Sequence, residues 1–239
     1  MSKVRTTHPL AVVAALLTVL PQVASAQVGH PPGHSPYHDI YSRTGFVFTA
    51  TYIAGSGGAL NVGPKDGWLY GGRFETKLAG PTDGFLEVAY GTLTHSVIDP
   101  TRSVDTRTTT GVPQRAFLVD AGISVVLTGD KTWHGFAPYV GGAMGVAIGR
   151  TVPSDTSGFR FHAPFTTGPH AGIRWYLGKR LSLRAEGRLL FWRLSYPATY
   201  FLPPVLAPND PAVLPSGSKT SQWTAHPSVV FSAAYHFRF

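Results

Sequence analysis

The chain has 239 residues, enough for one large domain or two small ones, and only 13% of them are charged, against the roughly 25% usual for soluble domains. Its 27 Gly, 20 Pro and 12% aromatic residues favour strands and turns over a helical fold. With no Cys, the chain can hold neither a disulfide nor a lipoprotein acylation site, and its formal net charge is +8.

The first 26 residues read as a targeting segment. Lys3 and Arg5 supply a positive start, and Leu10 to Leu20 is a mostly apolar run too short to span a bilayer as a helix. Pro21 breaks the run, and Ala24-Ser25-Ala26 matches the small-x-small pattern read by signal peptidase, so cleavage is expected before Gln27. Loss of Lys3 and Arg5 lowers the formal charge from +8 to +6. Phosphorylated lipid would attract such a surface. Residues 27–42 form a His/Pro-rich segment, expected on the periplasmic side. His30, His34 and His38 are of a type that suits zinc, copper or nickel, but fixed Pro and flexible Gly33 do not preorganise a site. Ser35-Pro36, with Asp39 following, reads as a helix start, and a short periplasmic turn or helix tucked under the barrel is expected.

No later stretch offers 18 consecutive apolar residues, so membrane residence would have to come from strands. From Arg43 onward the chain falls into alternating segments of about ten residues or more, the length of a transmembrane strand. The predicted strands are Thr44–Gly55, Trp68–Leu78, Phe85–His95, Ala116–Leu127, Phe136–Gly149, Thr166–Leu177, Leu181–Leu194 and Trp223–Phe239. Each sets large apolar residues on one face and charges, hydroxyls or small residues on the other. Phe46, Phe48 and Tyr52 form one such apolar row, and Val229, Phe231, Tyr235 and Phe237 form another.

Connections after the second, fourth and sixth strands are short (79–84, 128–135 and 178–180). Those after the odd strands are long (57–67, 96–115, 150–165 and 195–222). In an antiparallel meander this gathers all long loops at one rim and both termini at the other, as in outer-membrane barrels with periplasmic turns and extracellular loops. A soluble β-sandwich shares the alternation but accounts for neither the export segment nor the loop asymmetry. The reading is therefore an all-β, eight-stranded antiparallel up-and-down transmembrane barrel over residues 43–239.

Tyr235-x-Phe237-x-Phe239 resembles the C-terminal assembly signal that the barrel-insertion machinery recognises. Pro138-Tyr139-Val140-Gly141-Gly142 resembles a recurrent strand opening in such barrels. Over residues 43–239 the chain resembles the eight-stranded outer-membrane β-barrel domain family, of the outer-membrane protein A and opacity-protein type. That resemblance implies an integral outer-membrane protein in contact with lipid. No peptidoglycan-binding domain is expected after the barrel.

If the aromatic row of the last strand faces lipid, parity sends Arg73, Glu75, Lys77, Glu87, Asp120, Arg174, Arg184, Glu186 and Arg188 into the lumen. An eight-stranded barrel is just wide enough for side chains to fill it, and buried charges persist only when paired. Lys77 and Glu87, across the first short turn, are an expected pair. A closed, salt-bridged lumen is expected, with a structural or surface-interaction role carried by the long loops and any extracellular ligand unidentified. A small anion-favouring channel is the alternative, because basic groups outnumber acidic ones in this set. A lipid-modifying enzyme ranks third. His226, Ser228 and Glu186 supply the residue types of a Ser–His–acid arrangement, but parity turns them away from acyl chains; His95-Ser96 is no better placed. The chain is read as a monomeric non-enzyme with no cofactor and no nucleic-acid partner. The last long loop carries Pro197, Pro203, Pro204, Pro208, Pro211 and Pro215 among Phe201, Leu202, Val205 and Leu206, residues that could meet lipid, cover the barrel mouth or bind a partner. Thr106 and Thr108–Thr110 read as a solvated loop.

Overall fold

The structure, a computed structural model, describes residues 35–150, 155 and 157–238. Tyr37–Phe239 forms one compact unit. Its strands are β1 (Tyr37–Asp39), β2 (Gly45–Ile53), β3 (Lys65–Ala79), β4 (Thr82–Ile98), β5 (Thr108–Val126), β6 (Lys131–Trp133), β7 (Phe136–Gly149), β8 (Phe165–Tyr176), β9 (Leu181–Ser195) and β10 (Ser221–His236). Every pairing is antiparallel. The long strands run β2-β3-β4-β5-β7-β8-β9-β10, and β10 pairs back onto β2, closing an eight-stranded ring. Closure leaves the ring without a free edge, so the backbone of the wall is paired between neighbouring strands apart from local bulges.

The alternation read from the sequence is the alternation of exposure. In β2 the sequence GFVFTATYI buries Val47, Thr49, Thr51 and Ile53 and exposes Phe46, Phe48 and Tyr52. Around the wall the exposed row continues through Tyr70, Leu86, Val88, Phe117, Ile123, Met144, Ile173, Leu183 and Phe231. Soluble monomers rarely expose an apolar patch beyond a few hundred Å², and a belt circling the whole molecule is stable only against lipid. Aromatic rings gather at both ends of this belt. Phe46 packs on Phe74 and Phe237 near the short turns, while Tyr52 packs on Trp68 and Tyr90 on Phe117 toward the long connections.

The structure departs from the sequence reading in three places. The second long connection shrinks to 99–107, because β4 and β5 stay paired out to Ile98↔Thr108. Thr108–Thr110 are thus exposed strand residues, not loop. The first short turn is only Gly80-Pro81, with Gly80 at φ +49 where a side chain would be strained. The helix expected at Ser35-Pro36 is absent. Tyr37–Asp39 is a strand, pairing with Lys131–Trp133 in the β5–β7 connection, whose open edge satisfies its backbone. His38 lies exposed in that strand. Residues 1–34, including the signal segment with Ala24, Ala26 and Gln27 and the histidines His30 and His34, lie outside the described residues, as does Phe239.

Candidate functional site

The inward rows form two layers. Reading β3 from the short-turn end, Glu75 and Arg73 give way to Leu69. On β4, Asp83 and Glu87 are followed by Ala89 and Leu93; on β9, Arg184, Glu186 and Arg188 by Leu190, Trp192 and Leu194. Charges therefore fill the half near the short turns, and apolar side chains fill the half near the long connections.

The charged layer has two hubs. Nearer the turns, Glu75 is held by Arg184, with an Nη1–Oε2 bond of 2.5 Å, and by Arg174 at 3.7 Å. Arg174 also holds Asp83 at 2.7 Å, and Arg43 reaches Asp83 at 3.2 Å. Deeper in, Arg73 binds Glu87 at 2.8 Å and Glu186 at 3.3 Å. Arg188 binds Glu87 at 2.9 Å, Glu186 at 2.8 Å and Asp120 at 3.3 Å. Tyr139 links the hubs. Its hydroxyl donates to Glu186 at 2.8 Å, while the Arg174 guanidinium lies 4.8 Å over its ring.

Register explains how β4 and β5 can place two carboxylates side by side. Arg73, Glu87, Asp120 and Gly145 are directly opposite one another on four successive strands. Glu87 and Asp120 would repel, but Arg188 crosses from the far wall to bind both. Gly145 ends the row because a Cβ there would strike the Val119 carbonyl and the Asp120 carboxylate. The small residues of β7 are the space into which the long side chains of the other strands extend.

Among the residues expected in the lumen, Lys77 is misplaced. It shares the inward parity of Arg73 and Glu75 but sits at the rim, beside a register shift between Lys77 and Ala79, and is exposed. It bonds Asp130 at 2.8 Å, whereas Glu87 lies opposite Arg73, so the expected Lys77–Glu87 pair does not form. The Lys77 hydrogen bond holds the Asp130 carboxyl below its usual range. Arg43 and Asp83 belong to the buried set and were missed. Both follow from the same parity continued past the predicted ends of their strands, by one residue to Arg43 and by two to Asp83. With these changes Arg43, Arg73, Arg174, Arg184 and Arg188 face Glu75, Asp83, Glu87, Asp120 and Glu186, one cation for each carboxylate. The excess of positive charge that motivated an anion channel is gone.

The apolar layer is completed by the long connections. Val62 enters from the first, Phe159 and Phe161 from the third, and Tyr196, Tyr200, Val213 and Leu214 from the fourth. Trp192 is at its centre. His226 stacks on it with ring centroids 3.7 Å apart, and Phe161 meets it edge-on at 5.5 Å. Burial pushes the Tyr200 hydroxyl up to about 12. The Pro-rich connection thus folds its tyrosines into the mouth, yet leaves Leu202, Val205 and Leu206 exposed by 60%, 77% and 74%. It is braced on the β4–β5 tip by Leu206 N–H to Thr101 O at 2.9 Å and by Arg107 to Pro211 O at 3.1 Å.

The candidate hydrolytic residues are not assembled. His226 Nε2 shares a hydrogen bond with Thr224 Oγ1 at 2.7 Å, Ser228 donates to the Arg188 carbonyl at 3.1 Å, and Glu186 is committed to the arginines. His95 hydrogen-bonds Val112 O through Nδ1 at 3.0 Å. Among the described residues no group of three His, Asp or Glu side chains could hold a metal ion. Of the expected assembly signal, Tyr235 is exposed on the outer wall, and Phe237 donates its N–H to Thr44 O at 3.0 Å.

Neither a protein-family model nor a curated protein sequence matches the chain. Solved structures do. The outer membrane protein OprG from Pseudomonas aeruginosa aligns over 84% of this chain and 100% of its own, with TM-score 0.50 and 12% identity. Neisserial surface protein A aligns over 85% of this chain and 98% of its own, with TM-score 0.47 and 10% identity. The lipid-compatible belt, the closed eight-strand ring and the likeness to OprG agree: this chain has the fold of the eight-stranded outer-membrane β-barrels.

Proposed function

We propose that this outer-membrane barrel is a non-conducting, non-enzymatic scaffold that acts through its long connections, which face the cell exterior while both termini face the periplasm. The observation that carries the reading is the double closure of the lumen by a charge-neutral ion-pair layer and an apolar layer sealed by Trp192, Phe161 and Tyr200. Ions crossing it would have to displace paired arginines and then pass a dry constriction. Planar-bilayer recording of the purified barrel should therefore give no steady single-channel steps. Reproducible conductance would overturn the closed lumen and favour a channel.

The route to the membrane belongs to the same proposal. Export removes residues 1–26, and the insertion machinery reads Tyr235, Phe237 and Phe239 to place the barrel as a monomer in lipid. Intact-mass analysis of protein from outer membranes should give a chain beginning at Gln27. Full-length precursor there would refute the processing.

A further inference from the structure

We propose that Arg160 and Arg193 form a site for the phosphate group of a phosphorylated glycolipid of the outer leaflet, on the outer wall just below the long connections. The inference rests on the outward orientation of those connections.

Arg193 is the first charge above an apolar outward row on β9 that includes Leu183, Leu189 and Phe191. Register sets Trp223 of β10 directly opposite it, and Phe165 of β8 borders it on the other side, next to the Thr166↔Trp192 pair. Both aromatic side chains are exposed, by 57% and 51%. A cation between two aromatic rings at the top of a lipid-facing wall sits at headgroup depth, where amphipathic rings settle. Arg160 joins it across a cleft of ≈ 410 Å³ that these four residues line together with His162 and Pro164.

The charge here is uncompensated. Among the described residues Arg193 donates only to the neutral Ser221 hydroxyl, at 3.0 Å through Nε and 2.5 Å through Nη2. Among the described residues neither Arg193 nor Arg160 has a carboxylate partner, and the same holds for Arg115 and Arg150, which continue the arc with Arg150 N–H on Arg115 O at 2.8 Å. Of the carboxylates at this end, Asp99 is engaged with Arg102, Asp210 with Val104 N–H, Asp155 with Ser157 N–H and Asp66 with Gly55 N–H, while Asp105 on the β4–β5 tip pairs with neither arginine. The five buried arginines of the same molecule are each matched to acids, whereas these exposed guanidiniums are left free to take an external anion. Two guanidiniums over an apolar, aromatic floor match a headgroup that carries phosphate above acyl chains. Planar guanidinium forks bind phosphate in a bidentate manner.

The test uses the purified whole barrel in neutral detergent, titrated with a diphosphorylated glucosamine-disaccharide lipid, its dephosphorylated form, and inorganic phosphate. The parent should bind the diphosphorylated lipid about tenfold or more tightly than the dephosphorylated one, with a preference that shrinks in salt. The Arg160→Gln/Arg193→Gln double variant should lose that preference, while an Arg102→Gln/Lys219→Gln control keeps it. Equal affinity for the two lipids, an unaffected double variant, or inorganic phosphate binding as tightly as the lipid would each overturn the site. Orientation is read separately by labelling Ser218→Cys on intact cells, where the absence of any native Cys keeps the signal clean. Failure to label, with binding in detergent preserved, would sink the outward orientation rather than the phosphate chemistry.

Discussion

Arg188→Ala should destabilise the membrane-inserted barrel by about 3–5 kcal/mol, the cost of breaking a buried ion pair by removing one partner. Among the described residues Arg188 alone bonds all three of Glu87, Glu186 and Asp120, and its side chain is shielded from solvent. Without it, Glu87 and Asp120 face each other across β4 and β5 with only Arg73 left beside Glu87. Arg188→Lys should fall between, because one ammonium keeps the charge but cannot span three carboxylates. Lys77→Ala is the informative contrast. The sequence puts Lys77 in the same row, yet it pairs with Asp130 in solvent, so its loss should cost no more than about 1 kcal/mol. Urea unfolding of the parent and the three variants in vesicles measures all of this. Equal losses for Arg188→Ala and Lys77→Ala would mean that water reaches the inner charges and the layer is not a plug.

The contrast between those two residues also shows where sequence reasoning runs out. Period-two alternation identifies the wall, because lipid on one side and a filled lumen on the other penalise a misplaced residue at every position. It identifies Arg73, Glu87, Asp120, Arg174, Arg184, Glu186 and Arg188 as inward for the same reason. Parity says which way a side chain points but not how far along the axis the lumen extends. Parity alone therefore includes Lys77, which lies past the rim, and a third strand started at Phe85 leaves out Asp83, because β4 begins three residues earlier, at Thr82. The β4–β5 extension left no trace in the pattern, since Thr108–Thr110 are solvated and show no apolar alternation. The β1–β6 pair is three residues per strand, too short to carry a period.

The apolar half of the lumen was the least legible feature, and it yields the sharpest remaining prediction. On β9 the inward row changes from Arg184, Glu186 and Arg188 to Leu190, Trp192 and Leu194, while the outward row stays apolar at Leu189 and Phe191. Both faces are then apolar, the alternation vanishes, and only parity carried up from the arginines reveals that Trp192 points inward. Trp192→Ala should cost about 3–5 kcal/mol, as for other large-to-small changes in a packed core. It removes the ring on which His226 stacks and against which Phe161 rests its edge. Trp192→Phe keeps an aromatic surface and should cost much less. Neither variant should conduct in a planar bilayer, because the ion-pair layer below remains complete. The two-layer account thus predicts a large loss of stability with no gain of current. A Trp192→Ala barrel that opens steady channels would place the whole seal in the apolar layer and reduce the arginine–carboxylate network to a lining of the pore.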